Sequence, residues 1–472
     1  MFVLREIELG EINLEIAKLL NLEQMKHFGA ICLDYREEHL QIALLESSKE
    51  EAEKTLPKIL NPYKIQFFYI TKENFQEILH FLEIEQNIAL ALEEIPKSDL
   101  QNKDSKVIFL LENIMQDAIY KGASDIHIEQ TSKECKIRFR LDSVLVDRLN
   151  LPSYLNAPLM LCLKLFANLN IAEVSLPQDG RFSYLLKDTK GDKRNYDFRI
   201  STLPLVEGES AVLRVLDNKS IVLPLKELGL SKEELEKILK MAHLPYGFVL
   251  ISGPTGSGKS TTLHAILNQI KHKNLKIISL EDPVEYRLEN ITQVAIHKEI
   301  SFASVLKNIL RQDPDVIMIG EIRDKETLQV ALRAAFTGHL VFSTLHTNDA
   351  LEAIPRLIDM GVEQYFLKEA LSGVIAQRLL RKLCPLCKVK VGEFYKARGC
   401  VKCNFTGFKG RVVIAEILLM NETLKAFIDN KLSKEKILEI LQKEGDYSLL
   451  QKALCKAKSG ITSLKEVYRV VK

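Results

Sequence analysis

The 472-residue sequence has no tryptophan, and only 7% of its residues are aromatic. Its 65 basic residues are nearly balanced by 63 acidic ones, for a net charge of +2. Gripping nucleic acid calls for a basic groove with stacking rings, so a dedicated nucleic-acid binder is disfavoured. No apolar run approaches the roughly 20 residues of a membrane helix. Glu6, Glu8 and Glu11 interrupt the early apolar residues, and the start of the chain lacks a signal-peptide pattern. The expectation is a cytoplasmic protein that reaches a membrane only through partners. Eight cysteines are too few for a disulfide framework at this length. Low-complexity tracts and internal repeats are also missing. The length suggests about three domains.

What is present begins with Gly253-Pro-Thr-Gly-Ser-Gly-Lys-Ser260, which fits the phosphate-binding pattern G-x-x-x-x-G-K-[ST]. Before it, Phe248-Val-Leu-Ile251 reads as a strand buried on both faces. After it, Leu263, Ile266, Leu267 and Ile270 recur at helical spacing. In a strand–loop–helix of this kind, loop N–H groups and the helix dipole surround a triphosphate. The binding candidates are Gly253, Pro254, Thr255, Gly256, Ser257, Gly258, Lys259, Ser260 and Thr261. Lys259 is expected to reach the β- and γ-phosphates of ATP, and Ser260 to give an oxygen to Mg²⁺.

Apolar runs at 248–252, 276–280, 316–319 and 340–344 alternate with helical patterns, as a parallel α/β sheet requires. Each ends in polar residues: the phosphate loop, Glu281-Asp-Pro-Val-Glu285, Gly320-Glu-Ile-Arg323 and Leu345-His346. Ligands bind beyond the carboxyl ends of such strands. Glu321 is the candidate for Mg²⁺ and its waters, and Glu285 for orienting the attacking water. Glu281 and Asp282 are left for the metal shell or a neighbouring arginine. His346 suits sensing of the γ-phosphate, while His339 is as readily a structural histidine.

Upstream, residues 1–100 mix short helices and strands and read as a docking domain, with a polar linker at 97–106. Ile108, Leu111, Ile114, Met115 and Ala118 mark a helix. Two alternating strands follow, one with Asp125, His127 and Glu129 on a single face, the other with Lys136, Arg138 and Arg140. A further strand pair near 196–201 and 211–216 carries Arg199 and Arg214. These make an α+β domain over 105–218, and Ser220–Leu225 connects it to a third region, 225–472. Arg214 interrupts the apolar run 211–216, where a buried charge requires a partner.

Cys384-x-x-Cys387 and Cys400-x-x-Cys403, with twelve residues between the pairs, can turn four thiolates onto one tetrahedral ion. Four sulfurs leave no open position, so the expected metal is a structural Zn²⁺ within a module at 381–411. A redox CxxC is the weaker alternative. Cys32, Cys135, Cys162 and Cys455 read as packing residues. Nine basic residues around the module, among them Arg381 and Lys388, face only Glu393 and suggest an acidic partner or anionic lipid.

These boxes, in this order, resemble the secretion and pilus-assembly ATPase family of type II secretion and type IV pilus systems. The stretches Asp313–Asp324, Thr337–Asn348, Gly122–Glu129 and Pro177–Arg181 carry the likeness as well. The resemblance implies a RecA-like P-loop ATPase core after a PAS-like α+β domain and a small N-terminal α/β docking domain. It implies a homo-hexamer at the inner membrane, working with a platform protein and a membrane-anchored docking protein. Arg199 and Arg214 match the family's arginines that help close the nucleotide site. Two departures stand out: Leu141-Asp-Ser143 where the family has Asp-Gly, and no Arg-Leu-Gly signature near the N-terminus. The expected function is therefore a Mg²⁺-dependent ATPase for protein export, pilus extension or DNA uptake. The rivals are a RecA-like nucleic-acid translocase and a nucleotide-regulated scaffold without turnover.

Overall fold

The computed structural model describes residues 7, 11–93, 95, 104–187, 192–216, 223–284, 287–296, 301–400, 403, 406–429, 432–443 and 448–471. They form two compact units, one reaching residue 217 and one made of most of the chain beyond it. The expected connector at 220–225 is described only from 223.

The first unit holds two sheets. In the smaller, β1 (Ala30–Arg36), β2 (His39–Leu45) and β3 (Lys64–Ile70) lie in that order, β1/β2 antiparallel and β2/β3 parallel. The larger contains β4 (Asp125–Gln130), β5 (Glu134–Leu141), β6 (Val144–Pro152), β7 (Gln178–Lys187), β8 (Lys193–Leu205) and β9 (Gly208–Leu216). Its order is β6-β5-β4-β9-β8-β7, antiparallel throughout. Asp142 and Ser143 turn β5 into β6 with φ of 45° and 68°, so the tight hairpin survives without the family's glycine. Of the polar stretch 97–106, the last three residues are described, and they open the helix Asp104–Tyr120. The 22-residue helix Lys72–Glu93 serves both sheets. Its first half buries Phe75, Ile78 and Leu82 in the smaller sheet's core, and its second half buries Ile84, Ile88 and Ala91 in the larger one's.

The second unit is built on a seven-stranded sheet of β10 (Gly247–Ser252), β11 (Ile277–Glu281), β12 (Thr292–Ala295), β13 (Val316–Ile319), β14 (Leu340–Leu345), β15 (Leu371–Leu383) and β18 (Phe408–Leu419). A separate hairpin pairs β16 (Val389–Val391) with β17 (Phe394–Lys396). The large sheet runs β12-β11-β13-β14-β10-β15-β18, parallel except for β15/β18. Strands β10, β11, β13 and β14 are buried along their whole length, and the hydroxyls that interrupt them, Ser279, Ser343 and Thr344, are hydrogen-bonded within the sheet. Alternation sends Phe248 and Leu250 to one face, against Leu328 and Ala331. Val249 and Ile251 go to the other, against Leu263 and Ile266. At about 25 cal/mol per Å² of apolar area, these two layers dominate the unit's stability. They also hold four carboxyl strand ends side by side.

Candidate nucleotide site and metal centre

The phosphate loop leaves β10 through glycines held where only glycine is comfortable. Gly253, Gly256 and Gly258 have φ of 149°, 76° and 86°. A Cβ on Gly253 would lie 2.5 Å from Ser257 Oγ and 2.6 Å from Gln377 O, so the turn cannot admit a side chain. Pro254, Thr255 and Gly256 are exposed, Lys259, Ser260 and Thr261 half-buried, and Ser257 and Thr262 buried. Lys259 Nζ donates to Gly253 O (2.8 Å) and Pro254 O (3.1 Å). Burial pushes its ammonium down to about 8, the Glu321 carboxylate opposing and the Arg378 guanidinium adding to the fall.

Neighbouring strand ends bring the other groups in. Gly320 N donates to Leu280 O (2.8 Å), and a Cβ on Gly320 would lie 3.3 Å from that same oxygen. The glycine therefore lets β13 leave the sheet hard against β11. The next residue, Glu321, pairs with Arg323 and lies 3.8 Å from His346 Nε2. Burial, Lys259 and Arg323 lower the pKa of His346, with Glu321 opposing. Lys259, Glu321, Arg323 and His346 thus form one electrostatic cluster from three strand ends. Glu285 lies outside the described residues.

Two acidic-box expectations meet different fates. Asp282 adds, after Glu321, to the negative field on Arg323. Glu281 is only 3% exposed and accepts from Ser279 Oγ (2.7 Å) and Gln293 Nε2 (3.0 Å), with His264 Nε2 at 3.0 Å. Its oxygens are occupied in the core, so the structure corrects the metal-shell reading for this residue. Burial alone would raise the carboxyl, but the donors, His264 foremost, outweigh it and hold the group below the ordinary 4.5. A lowered carboxyl adds stability above its ordinary value, and that stability is lost as pH falls through the lowered one. Glu281→Gln is accordingly expected to cost roughly 2 kcal/mol at pH 7, with the gap closing as pH falls below the ordinary 4.5. Thermal melts of both proteins across that range check it. His339 proves structural: its backbone N and its Nδ1 lie 3.1 and 3.0 Å from Ala334 O, closing the helix Lys325–Phe336.

In the first unit, Arg214 is not buried. Its side chain is 61% exposed and donates from Nε to Asp125 (3.0 Å), because strand alternation puts it on the open face. Register shows what spacing could not. Arg140, Asp125, Arg214, Arg199 and Arg181 stand opposite one another across β5, β4, β9, β8 and β7. Cross-strand partners share a face, so four arginines and a single aspartate form one row suited to an anion. Arg140 and Arg181 were missed because only the register aligns them.

The four thiol sulfurs of Cys384, Cys387, Cys400 and Cys403 lie within 4.8 Å of one another, three of the residues buried. The sulfurs of Cys400 and Cys403 are 3.7 Å apart. A tetrahedral ion with bonds of 2.3 Å needs roughly 3.8 Å there. Cys403 Sγ also accepts from the backbone N–H of Cys400 and of Gly407, both at 3.2 Å. The donor set is compatible with zinc. Nearby, Arg381 pairs with Glu466 (2.7 Å) and Lys388 donates to Gly460 O (2.9 Å), so part of the basic charge is used within the chain. Cys32, Cys135 and Cys162 are buried as expected, but Cys455 is exposed.

Comparison with known proteins places this arrangement. The profile of the type II/IV secretion system protein family matches residues 100–469. The chain belongs to that family. It is 42% identical over 402 residues to type II secretion system ATPase E of Vibrio cholerae, covering 80% of this chain and 79% of that one. It is 39% identical over 410 residues to the type IV pilus assembly ATPase PilB of Myxococcus xanthus, covering 82% and 72%. Among solved structures, the pilus retraction motor PilT with bound ADP superposes with a TM-score of 0.55 at 30% identity, over 76% of this chain and 96% of that one. The seven-stranded unit is a RecA-like core, in line with the expected fold class. Among the described residues no helix is long and apolar enough to cross a membrane.

Proposed function

We propose that this chain is a Mg²⁺-dependent ATP hydrolase that acts as a homo-hexamer and powers a type II secretion or type IV pilus-like assembly machine. The observation that carries the reading is the cluster of Lys259, Glu321 and His346 beside the phosphate loop of a secretion-family core. Loop N–H groups and Lys259 hold the phosphates, and Ser260 and Glu321 are assigned to Mg²⁺. Bound there, the ion would neutralise charge developing on the phosphates. His346, next to Glu321, senses the γ-phosphate, and Glu285 is assigned to the attacking water. Arg199 and Arg214 belong to a row with an excess of positive charge, which supports their closing the nucleotide site in the ring.

The domains are assigned as a docking domain (1–100), a PAS-like domain (105–218) and a motor (225–472) carrying the zinc module. The work is delivered at the inner membrane, to a platform protein, with a membrane-anchored protein holding the docking domain. Phosphate release from the hexameric fraction, with Mg²⁺ and with EDTA, tests the reading. Nucleotide binding without release favours the scaffold, and stimulation by DNA favours the translocase. The metal assignment has its own check. Cys384→Ser with Cys387→Ser is expected to lower zinc from one ion per chain to none by elemental analysis. Unchanged zinc would remove the site.

A further inference from the structure

His346 opens a turn, 346–352, that has no strand or helix pairing of its own before the helix Ala353–Asp359 begins. Its shape rests on side chains, several of them from far along the chain. Arg378, just past the part of β15 that flanks the phosphate-loop strand, donates from one guanidinium nitrogen to Asn348 O (2.7 Å) and from the other to Gln377 O (3.1 Å). Glu416 of β18 accepts from Ala350 N (3.1 Å). Within the turn, Glu352 accepts from Asn348 N (3.3 Å), and Asp349 accepts from Glu352 N (2.6 Å). Lys434, the first residue of the helix Lys434–Lys443, then closes on both carboxylates, at 2.9 Å from Asp349 and 3.5 Å from Glu352.

We propose that Arg378 and Lys434 are positioning residues for hydrolysis, clamping the 346–352 turn so that His346 stays against Glu321 and linking the nucleotide pocket to the C-terminal helices. The inference rests on the ATPase reading above. Stability alone gives the Lys434 pair little reason to exist. Its side chains are 39% and 30% exposed, and such pairs contribute about 0–1 kcal/mol. Placement is where a clamp has leverage, since a shift of about 1 Å at a reacting centre can cost a hundredfold in rate. The clamp also works in reverse. Movement of the C-terminal helices pulls on Asp349 and Glu352, and through them on the residue beside Glu321.

The test uses the full-length assembled protein. Lys434→Met is expected to lower kcat roughly fivefold while KM, affinity for a fluorescent ADP analogue and the thermal midpoint stay nearly unchanged. Lys434→Arg should restore the rate. Asp349→Asn should reproduce the loss without adding to that of Lys434→Met, as expected when two residues act through one contact. Arg378→Met, one contact nearer the phosphates, should lose more. A Lys434→Met kcat within twofold of the parent, or kcat and KM moving together, overturns the proposal. Amide hydrogen exchange of 346–352 gives a reading independent of turnover: faster exchange in Lys434→Met supports the clamp, and unchanged exchange overturns it. Absence of turnover in the parent protein would sink the hydrolase reading alone.

Discussion

Lys259→Ala is expected to leave the assembled protein with no measurable ATP turnover and weakened nucleotide binding. Lys259 is the cation of the phosphate loop, and its Nζ already lies over the loop, bonded to the carbonyls of Gly253 and Pro254. Partial burial makes its charge worth more to a phosphate than an exposed lysine's would be. Removing one preorganised donor from a site of developing charge costs about 3–4 kcal/mol, a rate loss of a hundredfold or more. Arg378 is a second cation whose field reaches Lys259, but its bonded donors are turned to the carbonyls of Asn348 and Gln377. It is therefore poorly placed to substitute. Phosphate release above about one tenth of the parent rate would place the essential cation elsewhere.

Glu321→Gln is expected to separate binding from chemistry. The amide keeps the shape of the side chain, so ADP-analogue affinity should change by less than about threefold, while phosphate release falls by at least a hundredfold. The carboxylate is the negative neighbour of Lys259, Arg323 and His346 together. Its neutral replacement leaves three cationic or protonatable groups without the anion that organises them. Release within tenfold of the parent would assign the metal and its waters to another carboxylate.

Much of the core was legible because buried parallel strands have a plain signature. The runs at 248–252, 276–280, 316–319 and 340–344 correspond to β10, β11, β13 and β14. β15 and β18 have no such signature. Arg378, Arg381 and Lys382 break the first, and Lys409 and Arg411 the second, since these parts of the strands are partly or fully exposed. Glu281 was misjudged for a geometric reason. A carboxylate at a strand end can point along the strand toward ligand or sideways into a packed layer. His264, a polar residue set among the buried Leu263, Ala265, Ile266 and Leu267, was the available sign that a partner waited inside. Arg214 has the partner expected of it, Asp125, but not the burial. Neighbouring apolar letters suggested burial, whereas alternation within β9 turned it outward.

The helix Lys72–Glu93 carries a consequence for how load travels through the first unit. A tether fastened to the three-stranded sheet pulls on a rod whose far end is embedded beneath the arginine row. No slack segment within that rod absorbs the tug. Clipping the chain after the rod would remove Ile84, Ile88 and Ala91 from beneath the six-stranded layer. The shortened protein would then show greasy surface where its anchor had been, and stickiness would be its first symptom.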